Sequence, residues 1–465
     1  MRKKYSDYMD EITSDNLYDK LLGYGLFSNK IPPMFESESF GQYCKNHNPG
    51  FNDKRYDYIR YNTIRNINMS RQLGIPVPMS YSKLCARLKE NWDNLKSHFH
   101  KYTDNQNYVI SRNHIQLSKK HKELFEMNYD DWKNAGSPKD DLLIGKRYVA
   151  KADISTCFPS IYTHSISWAL IGKENAKQRN RNVWYEKLDE SCRNIKYGET
   201  HGLLIGPHTS NLISEVILTV VDNNLYNKGW CFIRNIDDYT CYIETREQAE
   251  EFITDLIEEL GAFDLSLNHK KTKIENLPIS SVEFWVRKLN GFNLLTNYGE
   301  VDYKHARDYF DLANELLESN GGNASVLNYA IKVLSKQTLT ENAKTYCWKM
   351  SMHLCLLYPY LISLMDEIVF SYFDTPDEAL QDFINKAYDY GFSKHNYEEC
   401  SYAIYFAIKH DMKVEKLNIS DIINSDDCIL KTISYIYYKK MNDTDKLNIL
   451  HEHALSLSKQ EFDRN

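Results

Sequence analysis

Apolar and polar positions change rhythm near residue 300. Before that point, short β-favouring runs alternate with helical stripes; after it, the spacing is helical throughout. Tyr81, Leu84, Cys85, Leu88 and Trp92 keep one helix face over 80–92. Leu212, Ile213, Val216, Ile217, Val220, Val221 and Leu225 form a second stripe, and Thr209 or Ser210 can cap its start. Ala249, Phe252, Ile253, Leu256, Ile257 and Leu260 mark a third, which stops at Gly261. Apolar runs at 148–150, 232–236, 239–243 and 282–289 read as strands, and 265–274 reads as a turn and strand. The order strand, helix, hairpin, helix, strand builds an antiparallel sheet backed by helices, an α+β arrangement. Beyond it, helices are predicted at 303–318, 324–336, 341–372, 376–390, 396–410, 427–440 and 443–459. Their uneven pairing points to an α-solenoid or helical-repeat domain.

Acidic residues interrupt this pattern at two places. Asp153 follows the run Tyr148-Val149-Ala150, at or just past a strand end. Asp237-Asp238 sits between two β-favouring runs, at the tip of a hairpin. Alone, such a pair is an ordinary turn signal. A strand-end aspartate beside a hairpin of two more brings three carboxylates together, and like charges a few Å apart repel strongly. Hard divalent cations, Mg²⁺ above all, relieve that repulsion through oxygen ligands. A pair of such ions serves in-line displacement at phosphorus.

Composition narrows the picture. A chain of 465 residues has room for two or three domains. A net charge of −7 does not call for a basic face that grips long duplex. The ten cysteines show no Cys-x-x-Cys pair and no zinc spacing, which suits reduced thiols in a cytoplasm. No apolar segment follows Met1-Arg-Lys-Lys, and the longest uncharged stretch, 350–365, is too short to span a bilayer. Arginines and tyrosines interleave over 54–61, a composition that serves a solvated face or contacts to phosphates and bases equally well. Ser111-Arg112 and the run Lys119-Lys120-His121-Lys122 could meet a triphosphate, although a solvated loop is the simpler reading of the lysines.

Asp153 with Phe158, Gly206-Pro207 with Ser210, Asp237-Asp238, and Asn268 with Lys271-Thr272 follow the order of motifs A to D of a polymerase palm. Together with Arg65–Pro78, Tyr81–Trp92 and the run Gly-Pro-His-Thr-Ser-Asn at 206–211, the chain resembles the abortive-infection (Abi) phage-defence polymerases, a reverse-transcriptase-like family of bacteria. The resemblance implies reverse-transcriptase-like fingers and palm without a usual thumb, followed by the all-α helical-repeat domain. In that reading residues 1–150 form an N-terminal extension and fingers, 151–290 the palm, and 291–465 the helical domain. The interval 289–303 leaves no room for a thumb.

The implied activity is untemplated, protein-primed DNA synthesis from dNTPs by a cytoplasmic homo-oligomer, with single-stranded product attached to the enzyme's own tyrosine. Asp153, Asp237, Asp238 and the backbone carbonyl of Ile154 would hold two Mg²⁺. Phe158 would exclude a ribose 2′-hydroxyl, Lys271 would protonate pyrophosphate, and Arg112 and Arg147 would contact the triphosphate. Tyr8 is the expected priming residue, ahead of Tyr5 and Tyr18, because chain termini are usually loose. The sequence departs from templated enzymes at Leu204-Ile205-Gly206-Pro207-His208, where Pro-Gln-Gly is usual, and at Asn235, where many have tyrosine. A templated reverse transcriptase and a catalytically silent scaffold stay open as alternatives.

Overall fold

The apolar run ahead of Asp153 lies inside a four-stranded sheet. The computed structural model describes residues 3–117, 122–127, 138–178 and 182–462; Lys119, Lys120 and His121 lie outside them. Strands β1 (Tyr58–Ile64) and β2 (Ser70–Pro76) pair with each other, as do the short β3 (Asn113–Ile115) and β4 (Phe125–Met127). The main sheet contains β5 (Tyr148–Asp153), β6 (Phe232–Asn235), β7 (Asp238–Ile243) and β8 (Lys273–Asn276) in the order β6-β7-β5-β8. Every pairing in it is antiparallel. The register sets Asp153 opposite Asp238, and Asn235 opposite Asp238 across the hairpin. Residues 110–112 run along the outer edge of β6, through Arg234 N–H to the Ile110 carbonyl at 3.0 Å and Arg112 N–H to the Arg234 carbonyl at 2.7 Å.

The helix His208–Asn227 carries the second apolar stripe and is buried along most of its length. Neither Thr209 nor Ser210 caps it: Pro207 occupies the N-cap, and the His208 N–H reaches the Gly25 carbonyl at 2.8 Å. Pro207 is compatible with a helix start because its fixed φ suits the entry and its missing N–H removes no helical bond. The third stripe forms the helix Arg246–Gly261, capped by Thr245 in a reciprocal exchange with Gln248. The stripe that begins at Tyr81 forms Pro78–Glu90, and Trp92 opens the next helix, Trp92–Thr103.

The chain forms two compact units. The first comprises 1–28, 36–59 and 74–279; the second comprises 29–35, 60–73 and 280–465. The units therefore do not follow consecutive blocks of sequence. Within the second, Ile64 N–H donates to the Glu398 carboxylate at 2.6 Å, Ala324 N–H to the Asn66 carbonyl at 2.7 Å, and Tyr402 Oη to the Ile31 carbonyl at 3.2 Å. These bonds tie two early segments into the helical unit.

Two expectations about secondary structure are corrected. Val282–Leu289 is not a strand: Phe284–Asn290 is a helix whose Leu289 is buried and whose Trp285 meets Tyr329 edge-on at 5.7 Å. Four-residue spacing between those two contacts outweighs the strand preference of Val, Phe and Trp. The single helix expected over 341–372 breaks at Pro359, which clashes with a continuing turn. Glu341–Leu357 is α-helical, Pro359–Leu364 is a 3₁₀ helix and Met365–Tyr372 is a π-helix. The charged segment before His201 contains the helix Trp184–Asn194.

Candidate active site

Asp153 is the last residue of β5 and Asp238 the first of β7, so the antiparallel register brings them face to face. Asp237 joins them through the turn Ile236-Asp237, where the Ile154 N–H donates to the Asp237 carbonyl at 3.0 Å. One carboxylate oxygen from each of the three lies within 4.8 Å of the others. Asp153 is buried and the residue Asp238 is exposed. The Asp238 carboxyl is nonetheless pushed up to about 6, first by desolvation and then by the Asp237 and Asp153 charges beside it. That crowding, with oxygen-only donors, fits a hard divalent cation.

The turn is strained. Ile236 has φ of +55°, a conformation that a β-branched residue rarely adopts. Holding it costs on the order of 1–3 kcal/mol, which the surroundings must offset. The Arg234 guanidinium clamps it, donating from Nη1 to the Ile236 carbonyl at 2.8 Å. The same guanidinium is wholly buried and reaches Glu215 Oε1 at 2.9 Å and Asp222 Oδ2 at 2.7 Å, both on the helix His208–Asn227. Glu215 also accepts from Tyr5 Oη and Ser111 Oγ, each at 2.9 Å. Burial pushes Glu215 up, but Arg234 and these donors outweigh it and hold it below its usual range. For Asp222, burial prevails and the carboxyl is raised. The network joins the aspartate turn to the long helix. The only sequence trace of it is a pair of acids, seven residues apart, within an apolar stripe.

On the other side of Asp153, Ser155 N–H reaches the Ser266 carbonyl at 2.8 Å and Asn268 N–H reaches the Asp153 carbonyl at 2.7 Å. Asn268 Nδ2 donates to Asp153 Oδ2 at 3.1 Å, and Lys271 Nζ lies 2.7 Å from Asp153 Oδ1. That hydrogen bond raises the Lys271 ammonium above its ordinary value, so it stays charged. Asn268 is a contact to Asp153 that the sequence pattern marked only by position.

Phe158 is buried in the short helix Cys157–Ser160 directly after Asp153, and its carbonyl accepts from Leu203 N–H at 2.7 Å. The neighbouring Cys157 thiol is pushed up to about 12 by burial, with Asp237 the next contributor. Ser210 is buried at the start of the long helix, and Gly206, with φ of +129°, has a backbone that few other residues adopt. Ile154 bridges to Leu267. Arg112 lies alongside β6, outside β7 and β5.

Two expected residues are placed differently. Arg147 stands before the first residue of β5, six positions from Asp153, about 20 Å along an extended strand. It is not gathered with the aspartates. Tyr8 does not lie on a loose terminus: the helix Tyr5–Asp10 is docked through buried Tyr5 and Met9, and the Tyr8 ring meets His114 at 5.9 Å. The apolar contacts of this helix outweigh the usual fraying of a chain end. Tyr5 Oη is committed to Glu215, and Tyr18 Oη lies 3.2 Å from Ser82 Oγ.

Residues 83–302 match the family described as reverse transcriptase (RNA-dependent DNA polymerase), a span that contains all of the aspartates. Among solved structures, apo telomerase from Candida Tropicalis truncated from its C-terminal domain is similar at 13% identity, over 53% of this chain and 57% of that one, with a TM-score of 0.32. Apo telomerase from Candida Tropicalis is similar at 11% identity, over 94% and 77%, with a TM-score of 0.34. Telomerase from Candida albicans in complex with the TWJ fragment of telomeric RNA is similar at 10% identity, over 86% and 65%, with a TM-score of 0.33. The chain thus spans 57% of the first of these structures. No curated protein sequence matches it. Among the described residues no helix is long and apolar enough to cross a membrane. Residues 83–302, a little under half of the chain, thus match a reverse transcriptase family domain.

Proposed function

We propose that the protein is a protein-primed, template-independent DNA polymerase that acts in phage defence by abortive infection. The observation that carries the polymerase reading is the convergence of Asp153, Asp237 and Asp238 within a reverse transcriptase domain. Asp153, Asp237 and Asp238, with the Ile154 carbonyl, would hold two Mg²⁺. When bound, magnesium supplies charge neutralisation at the triphosphate and a lower pKa for the attacking hydroxyl.

The chain's own groups do the rest. Asn268 and Lys271 fix the Asp153 carboxylate. A hydroxyl group, first of tyrosine and then of the growing strand, gives up its proton to solvent and attacks the α-phosphorus of a dNTP through its oxygen. The bond from that phosphorus to the bridging oxygen breaks, and pyrophosphate leaves. Lys271 can donate a proton to it. Phe158 closes the space that a 2′-hydroxyl would need.

Template independence is supported by His208 standing where templated enzymes carry glutamine after proline, and by the short interval 289–303. Defence by abortive infection rests on the motif resemblance. A homo-oligomer is supported by exposed Ile449, Leu455 and Leu457 on the helix Thr444–Phe462. In this reading the helix Tyr5–Asp10 leaves its seat to present Tyr8. The family match, described as RNA-dependent, favours templated copying as the second reading.

One assay decides. Purified protein is incubated with Mg²⁺ and labelled dNTPs without template and run on a denaturing gel. Label migrating with the protein is expected. Label only after addition of an RNA template supports the second reading, and persistence of covalent label in Tyr8→Phe rules out that residue as the primer. No incorporation under either condition leaves a scaffold.

A further inference from the structure

A second polar cavity, of about 450 Å³, opens in the first unit, and none of Asp153, Asp237, Asp238 or Lys271 lines it. Its wall includes Arg55, Tyr162, His164, Ser167, Trp168 and Arg193. The size is that of a site for a small ligand.

The charged groups are held in place. Backbone bonds from Tyr56 N–H to the Asn194 carbonyl, at 3.0 Å, and from Tyr197 N–H to the Tyr56 carbonyl, at 2.8 Å, pin the segment that carries Arg55. The Arg55 side chain lies across Gly198, where an added Cβ would stand 2.9 Å from its Cδ and Nε. Gly198 has φ of +86°, so both its backbone and its bare surface serve this packing.

His164 Nδ1 lies 2.7 Å from Oδ2 of the fully buried Asp189, and Arg193 Nε lies 3.4 Å from the same oxygen. The carboxylate orients the imidazole and leaves Nε2 for a ligand. Tyr162 meets His164 edge-on at 4.9 Å and Trp168 at 5.7 Å, which forms an aromatic corner. Ser167 is 1% exposed, and its hydroxyl has no hydrogen-bond partner among the described residues.

Two guanidinium groups and an imidazole beside aromatic rings suit a phosphate attached to a stacking base. Glu186 and Glu190 also line the cavity, and their carboxylates accept from exocyclic amines rather than attract a bare phosphate. We propose that this cavity is a second nucleotide-binding site, separate from the aspartate cluster, which takes either a free nucleotide or one nucleotide unit of a single strand.

Calorimetric titration in EDTA, which leaves no divalent ion to bind a triphosphate at the aspartates, tests this on the full chain with dAMP, an eight-residue oligodeoxyadenylate and inorganic phosphate. Binding of dAMP, or of the oligonucleotide alone, identifies the source. In either case Arg55→Gln and Gly198→Ala should weaken it about tenfold, the usual cost of losing a charge-assisted hydrogen bond. Arg55 is exposed, so Arg55→Gln leaves the fold intact. Absence of binding, affinity equal to that of inorganic phosphate, or full affinity in Arg55→Gln overturns the proposal.

Discussion

Lys271 Nζ sits 2.7 Å from Asp153 Oδ1, while Asn268 Nδ2 takes the other oxygen of the same carboxylate at 3.1 Å. The most buried aspartate of the cluster therefore already carries a cation and a neutral donor. Lys271→Ala should lower single-turnover incorporation by about a hundredfold, the usual scale for a positioned proton donor. Lys271→Arg restores charge but not a group that gives up a proton, and should stay near the alanine level. Full recovery by arginine would reduce Lys271 to a neutralising charge.

Phe158 is buried in the short helix after Asp153, and its backbone carbonyl accepts from Leu203 N–H. Phe158→Val keeps an apolar side chain and shortens it. The preference for dNTP over NTP should fall at least about tenfold, since one close contact to a hydroxyl is worth about that factor. Paired incorporation assays with dATP and ATP measure the ratio, and an unchanged ratio removes the sugar-gate role.

Removal of Arg234 should damage the fold before the chemistry. Arg234→Met would leave Glu215 and Asp222 buried without their shared cation, a loss of about 3–5 kcal/mol. Urea unfolding reads it directly. A loss below about 1 kcal/mol would mean that water or a rearranged hydroxyl compensates for the missing guanidinium.

The second unit should respond to alkali. Burial raises Glu398 to about 8 and Glu399 to about 7. A carboxyl with a raised folded-state pKa holds its proton longer in the native chain than in the unfolded one. Its contribution is complete below the unfolded value and is lost as pH rises through the folded value. The thermal midpoint should therefore fall by several degrees between pH 6 and pH 9. Glu398→Gln, which can still accept from the Ile64 N–H, should flatten much of that decline in a pH series of melting curves.

What could be read from the chain follows the range of the interactions. Asp153 and Asp237-Asp238 stand out because strand and turn signals are local. The long helix and the helices beyond 303 are equally legible from periodicity. Arg234 was visible only as a charge in a strand, since nothing nearby names Glu215 and Asp222 as its partners. Val282–Leu289 misled because its residue types favour a strand, whereas half-buried Trp285 and buried Leu289 are spaced for a helix. Tyr8 misled for a related reason: a terminus is loose only when nothing covers it, and Met9 and Tyr5 find a core.

These contacts of Asp153 all come from later in the chain, from Asp238 on one side of its strand and from Asn268 and Lys271 on the other. On the ribosome, the palm strand emerges more than a hundred residues before those last two partners. A nascent chain arrested between 238 and 268 would carry all three acids without the lysine and asparagine that hold Asp153.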